Sequence, residues 1–147
     1  MPSKEYFEFP YARCTDGAFR PFIEVSITNF SDNKYSKKFL CLIDSGADSC
    51  VFPAAAAELL GHNLYKGTKT ETTGISGVSI PIYAHKNYIT ISDGKNSKTY
   101  STMIQFIECN NTPFILGHAG LFTHFKVRFN YDSKKVSLEP YPHRFSS

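Results

Sequence analysis

A chain of 147 residues, 41% hydrophobic and 20% charged, can bury one sizeable core; wholesale disorder is excluded and little room is left for two domains. The formal net charge is only +3, and the lysines fall in polar stretches (Lys37-Lys38, Lys134-Lys135, Lys95 near Lys98) with no basic stripe interleaved with aromatics, so no nucleic-acid partner is expected. No apolar stretch approaches the ~20 residues of a membrane span, and no membrane partner is expected either.

In chain order the pattern is mostly of strands. Tyr6-Phe7-Glu8-Phe9 alternates weakly before a turn at Thr15-Asp16-Gly17. Pro21 to Ile27, alternating polar and apolar from Ile23 to Ile27, reads as a half-buried strand, and the polar stretch Asn29 to Lys38 turns the chain back. Phe39-Leu40-Cys41-Leu42-Ile43 is an unbroken apolar run, expected to be buried on both faces, and it ends abruptly on Asp44-Ser45-Gly46-Ala47. Pro53-Ala54-Ala55-Ala56-Ala57-Glu58-Leu59-Leu60-Gly61 predicts a helix, with proline in the first turn, alanines inside and glycine at the C-terminal cap.

Thr72 to Ile80 reads as a hairpin with a glycine-flanked tip at Gly74-Ile75-Ser76-Gly77. Tyr88–Ser92 and Tyr100–Glu108 are two further strands joined by the turn Asp93-Gly94-Lys95-Asn96. Pro113-Phe114-Ile115-Leu116-Gly117 predicts a short buried strand that stops at glycine. His118 to Phe125 predicts a second short helix, and Lys126 to Pro140 a last hairpin about Tyr131-Asp132-Ser133-Lys134. Phe114, Phe122, Phe125 and Phe129 are expected in the core. The fold class is all-β, a closed barrel or a sandwich, with one or two short helices.

The four cysteines, Cys14, Cys41, Cys50 and Cys109, form no C-x-x-C pair, and Cys41 and Cys50 lie in apolar company, so they read as small core residues and not as a disulfide scaffold or zinc site. No metal and no organic cofactor is expected, since there is no H-E-x-x-H, phosphate loop or dinucleotide fingerprint. His118 and His124 read as surface or interface histidines. The opening Met-Pro-Ser-Lys-Glu-Tyr has no apolar core of a signal peptide, which points to a cytoplasmic setting.

Asp-Ser-Gly on its own is an ordinary turn or helix cap, because all three residues favour turns. Here an apolar strand precedes it, a glycine-tipped hairpin follows, and an apolar-apolar-Gly117 segment comes last. In that order these elements resemble a retropepsin-like aspartic protease, the single-domain retroviral type, over roughly residues 22–140. The resemblance implies a closed-barrel acid protease fold, active as a homodimer. Residues 21–141 would form the protease domain, residues 1–20 an N-terminal extension with a candidate strand, and residues 142–147 a tail.

The implied activity is hydrolysis of peptide bonds in a peptide or protein substrate by water, activated by an Asp44 carboxylate from each subunit. One Asp-Ser-Gly per chain is what makes the dimer necessary, because Asp16-Gly17 and Asp93-Gly94 sit in polar turns. By the same resemblance Ser45, Gly46 and Ala47 support the site, Ser45 through a hydroxyl bond across the dimer. Asp48 binds substrate main chain or holds a structural ion pair. Gly74, Ile75, Ser76 and Gly77 form the tip of a mobile flap over the substrate, with Ile75, Val78 and Ile80 as apolar pocket walls. Ile115, Leu116, Gly117 and His118 cross beneath the active-site loop.

Three departures from the family pattern stand out. His118 occupies a position where retroviral members carry arginine, so an Asp48–His118 pairing is expected in place of an Asp–Arg fork. The alanine-rich helix is longer than in retroviral enzymes, and the first twenty residues have no counterpart. The same fold could also serve as a catalytically weak or inactive dimerisation or peptide-binding module, because fold does not fix function.

Overall fold

The computed structural model describes residues 6–73 and 77–145. The hairpin tip residues Gly74, Ile75 and Ser76 lie outside the described residues. Strands make up 54% of the described residues and helix 9%.

Six strands close a barrel. β4 (Phe22–Asn29) is antiparallel to β5 (Ser36–Ile43), with Phe22 opposite Leu42 and Thr28 opposite Ser36. β5 runs parallel to β10 (Ile115–Leu116), which is antiparallel to β6 (Val51–Pro53); β6 is in turn parallel to β9 (Ser97–Ile107). β9 pairs along its whole length with β8 (Ser79–Ser92), and β8 closes the circle on β4 through Ser26–Thr90 to Asn29–Asn87. β7 (Thr68–Thr73) pairs with the outer part of β8, from Thr68–Ala84 to Thr73–Ser79, so β7 and β8 extend beyond the barrel as the predicted hairpin.

A separate three-stranded sheet holds β1 (Phe7–Pro10), β12 (Lys135–Pro140) and β11 (Phe125–Asn130) in that order. β2 (Ala12–Arg13) and β3 (Phe19–Arg20) make a small hairpin whose turn uses Gly17 at φ +85°. The one α-helix among the described residues, α1 (Ala54–Leu59), begins directly after β6 and ends at Gly61, which takes φ +72° as a left-handed cap. Its Ala56 and Ala57 are buried against the barrel.

The core is continuous from the barrel into the small sheet, from Ile23, Ile27, Phe52, Ile89 and Phe106 to Phe7, Phe125 and Leu138. Near the end of β5, Phe114 stacks on Phe39 with ring centroids 4.9 Å apart and meets Phe52 edge-on at 5.0 Å. Cys41 and Cys50 are both buried free thiols, as their apolar neighbours predict.

Four expectations are corrected. The run Phe39–Ile43 is not buried on both faces: Phe39, Cys41 and Ile43 point into the barrel, Leu42 is half-buried and Leu40 is 55% exposed. A barrel strand has one inward face, so period two prevails even in an unbroken apolar run. Residues 118–124 form successive turns and no helix, because Gly120 at φ +108° breaks the right-handed path. Phe129 is 42% exposed on the outermost strand of the small sheet. Finally, Thr72–Ile80 and Tyr88–Ser92 belong to one hairpin whose second strand runs unbroken through Pro81, which sits opposite Glu71 on the stretch beyond the barrel.

Candidate active site

Asp44 sits where β5 leaves the barrel. Its amide donates to the Leu116 carbonyl at 3.0 Å, and the Leu42 amide to the Phe114 carbonyl at 2.8 Å, so β10 holds the end of β5 by its backbone. The chain then turns: the Ala47 amide donates back to the Asp44 carbonyl at 3.2 Å. Inside that turn the Gly46 amide donates to Asp44 Oδ1 at 2.8 Å, which fixes the carboxylate's rotation. Among the described residues Oδ2 accepts no hydrogen bond, and Asp44 is half-buried. Gly46 keeps this geometry open, since a Cβ there would lie 3.2 Å from Asp44 Oδ1.

The segment after β10 grips the same loop from below. The His118 amide donates to the Ala47 carbonyl and the Ala119 amide to the Asp48 carbonyl, both at 2.9 Å. These bonds require contact so close that a Cβ at Gly117 would overlap the Ser49 carbonyl oxygen and stand 2.6 Å from that of Ala47. The close approach at Gly117 therefore leaves no room for a side chain.

The expected Asp48–His118 pairing is not made. The His118 ring turns to the Ser45 carbonyl, 2.6 Å from Nε2, and stacks on Phe122 at 4.7 Å. The Asp48 side chain is exposed, with no ion pair among the described residues. The two segments are joined by main-chain bonds, so no carboxylate–imidazole contact is needed to hold them. Ser45 is likewise exposed at the surface of the loop.

Sequence reasoning missed a second supporting layer. Cys50 lies under Gly120, and its thiol approaches the Ala119 carbonyl at 3.4 Å. Burial pushes that thiol up to about 11, out of the reactive range. The Tyr100 hydroxyl donates to the Gly120 carbonyl at 2.7 Å, and burial raises its own ionisation well above the ordinary phenol range. Also missed was a buried polar cluster at the other end of α1. His62 Nε2 meets Asn87 Oδ1 at 2.8 Å, its ring stacks on His85 at 4.4 Å, and Asn29 donates to the Leu60 carbonyl at 2.8 Å. Period two could have flagged Asn87, which shares the inward face with Ile89 and Ile91. A cleft of about 540 Å³ beside α1, lined among others by Glu58, His62, Tyr65 and Glu108, includes none of the Asp44 loop.

No family model matches the chain, and no curated protein matches it in sequence. Among solved structures it resembles a retropepsin-like aspartic protease from Rickettsia conorii, with 21% identity, 94% of each chain covered and a TM-score of 0.62. The fold is that of the retropepsin-like aspartic proteases. A partial overlap with EIAV protease complexed with the inhibitor HBY-793 has 25% identity, 67% of this chain, 82% of that chain and a TM-score of 0.36, too loose to bear on the fold. In the retropepsin frame β7 and β8 form the projecting hairpin and Asp44–Ala47 the loop at the end of a barrel strand. None of the described helices is long and apolar enough to cross a membrane.

Proposed function

We propose that the chain is an aspartic endopeptidase that hydrolyses peptide bonds with water, using the Asp44 carboxylates of two copies. The observation that favours this most is the held carboxylate: Asp44 Oδ1 bonded by Gly46 at the mouth of a barrel of retropepsin type, with Oδ2 accepting no hydrogen bond among the described residues. A single such loop per chain supplies one carboxylate, so the active unit is a homodimer with its site on the two-fold axis. Two carboxylates brought together share a proton and titrate as a pair. The ionised one takes a proton from water as it attacks; the protonated one donates to the scissile carbonyl. Ser45 faces the partner's loop, and Asp48 faces the substrate's main chain.

An extended peptide or protein segment would lie beneath the β7–β8 hairpin, with Gly74, Ile75, Ser76 and Gly77 closing over it as a flap and strand-like main-chain bonds holding it. The test is cleavage of a peptide library across pH by wild type and Asp44→Asn, beside sedimentation of both. Asp44-dependent cleavage at acid to mildly acid pH by a dimer is expected. A dimer that binds peptides equally well with either residue and cuts none would make the fold a binding module.

A further inference from the structure

The peptide unit between Ser45 and Gly46 is held at both ends. Its oxygen contacts His118 Nε2 at 2.6 Å, and its N–H donates to Asp44 Oδ1 at 2.8 Å. A carbonyl oxygen can only accept, so Nε2 carries the hydrogen and His118 is the donor. Donation to an amide oxygen draws electron density toward it, strengthens the C–N double-bond character and makes the N–H of the same amide a better donor. The imidazole is thus one peptide group away from the carboxylate.

The ring is exposed, but its neighbours brace it. It stacks on Phe122 with planes 20° apart. Its backbone is pinned on both sides, the His118 amide to the Ala47 carbonyl and the Thr123 amide to the His118 carbonyl at 3.0 Å. Those main-chain bonds hold the loop independently of the imidazole.

We propose that His118 is the positioning residue for Asp44, orienting and polarising the Ser45–Gly46 peptide so that its N–H holds Oδ1 in one rotation. The kinetic consequence rests on the protease reading; the hydrogen-bond chain does not. His118→Ala removes the donor, and His118→Gln restores an N–H close to the position of Nε2. In His118→Ala, kcat falls about three- to tenfold with KM nearly unchanged, the pattern of a mis-set reacting group, and in His118→Gln most of kcat returns.

An amide spectrum of each protein reads the chain directly. The Gly46 amide proton should move in His118→Ala and return in His118→Gln. An unmoved Gly46 resonance in His118→Ala overturns the proposal whatever the cleavage assay gives. Equal loss of kcat in both variants also overturns it. If Gly46 moves and returns as expected while wild type cuts no peptide, the positioning role stands and the protease reading falls.

Discussion

Asp44 and Leu116 are joined through their backbones, amide to carbonyl at 3.0 Å, so the residue expected to do the chemistry is anchored by a two-residue strand from far along the chain. That anchorage depends on a close approach just beyond β10. Replacing Gly117 by alanine would drive a methyl group into the Ser49 and Ala47 carbonyls, backbone that cannot swing aside. The expected cost is about 3 kcal/mol, the upper range for overpacking, and on the order of 10 °C in melting temperature. Thermal denaturation of Gly117→Ala checks it, and a melt matching wild type would mean that the loop is looser than described.

The Asp44→Asn variant should separate chemistry from architecture. Asparagine keeps an oxygen to accept from Gly46, so the turn survives and the melting temperature should stay within a few degrees of wild type. On the proposed mechanism, what is lost is the proton that two carboxylates would share. Cleavage should fall by at least about 100-fold, the lower bound for a missing acid–base group. Residual turnover near the wild-type rate would remove Asp44 from the mechanism.

How much of this was legible beforehand differs by residue. Alternation in Ile23 to Ile27, the capped alanine helix and the Asp93-Gly94 turn are local signals, and each became the expected element. Gly117 could be singled out only through the family resemblance; its steric role emerges from the fold, where the Ser49 and Ala47 carbonyls close on it. The orientation of His118 was not legible. Its partner depends on which of two loop carbonyls and one carboxylate the ring faces, and the Phe122 stack that decides this forms only once Gly120 has turned the chain. Leu40 was misread for the opposite reason: an unbroken apolar run hides the period that barrel closure imposes.

The four thiols should divide by burial. Cys41 and Cys50 are buried, and burial raises both, Cys50 to about 11; Cys14 and Cys109 are half-exposed. A thiolate is the reacting species, so a disulfide reagent at neutral pH should label two thiols quickly in the native protein and four in denaturant. Rapid labelling of Cys50 in the native protein would show that the layer beneath Gly120 opens readily.

The buried polar cluster predicts an acid-sensitive fold. His62 Nε2 meets an Asn87 oxygen and Nδ1 lies 3.4 Å from the Asn29 amide nitrogen. The Asn29 amide also donates to the Leu60 carbonyl and so is oriented as a donor, which makes Nε2 the protonated nitrogen and Nδ1 the acceptor. A second proton on Nδ1 would face that donor, and the His85 ring stacked at 4.4 Å adds repulsion when charged. Burial, with His85 opposing any gain from Asn87, holds the His62 imidazolium below the usual histidine range; His124 is lowered likewise, by burial and then Arg144. Both depressed groups bind protons more readily when unfolded, so their contribution is fully present above the unfolded value near 6.5 and is lost as pH falls from there toward their folded values. The melting temperature should therefore drop between neutral pH and about pH 5. His62→Gln, which keeps a donor toward Asn87 but cannot titrate, should flatten part of that slope, and a slope identical to wild type would exclude His62 as its source.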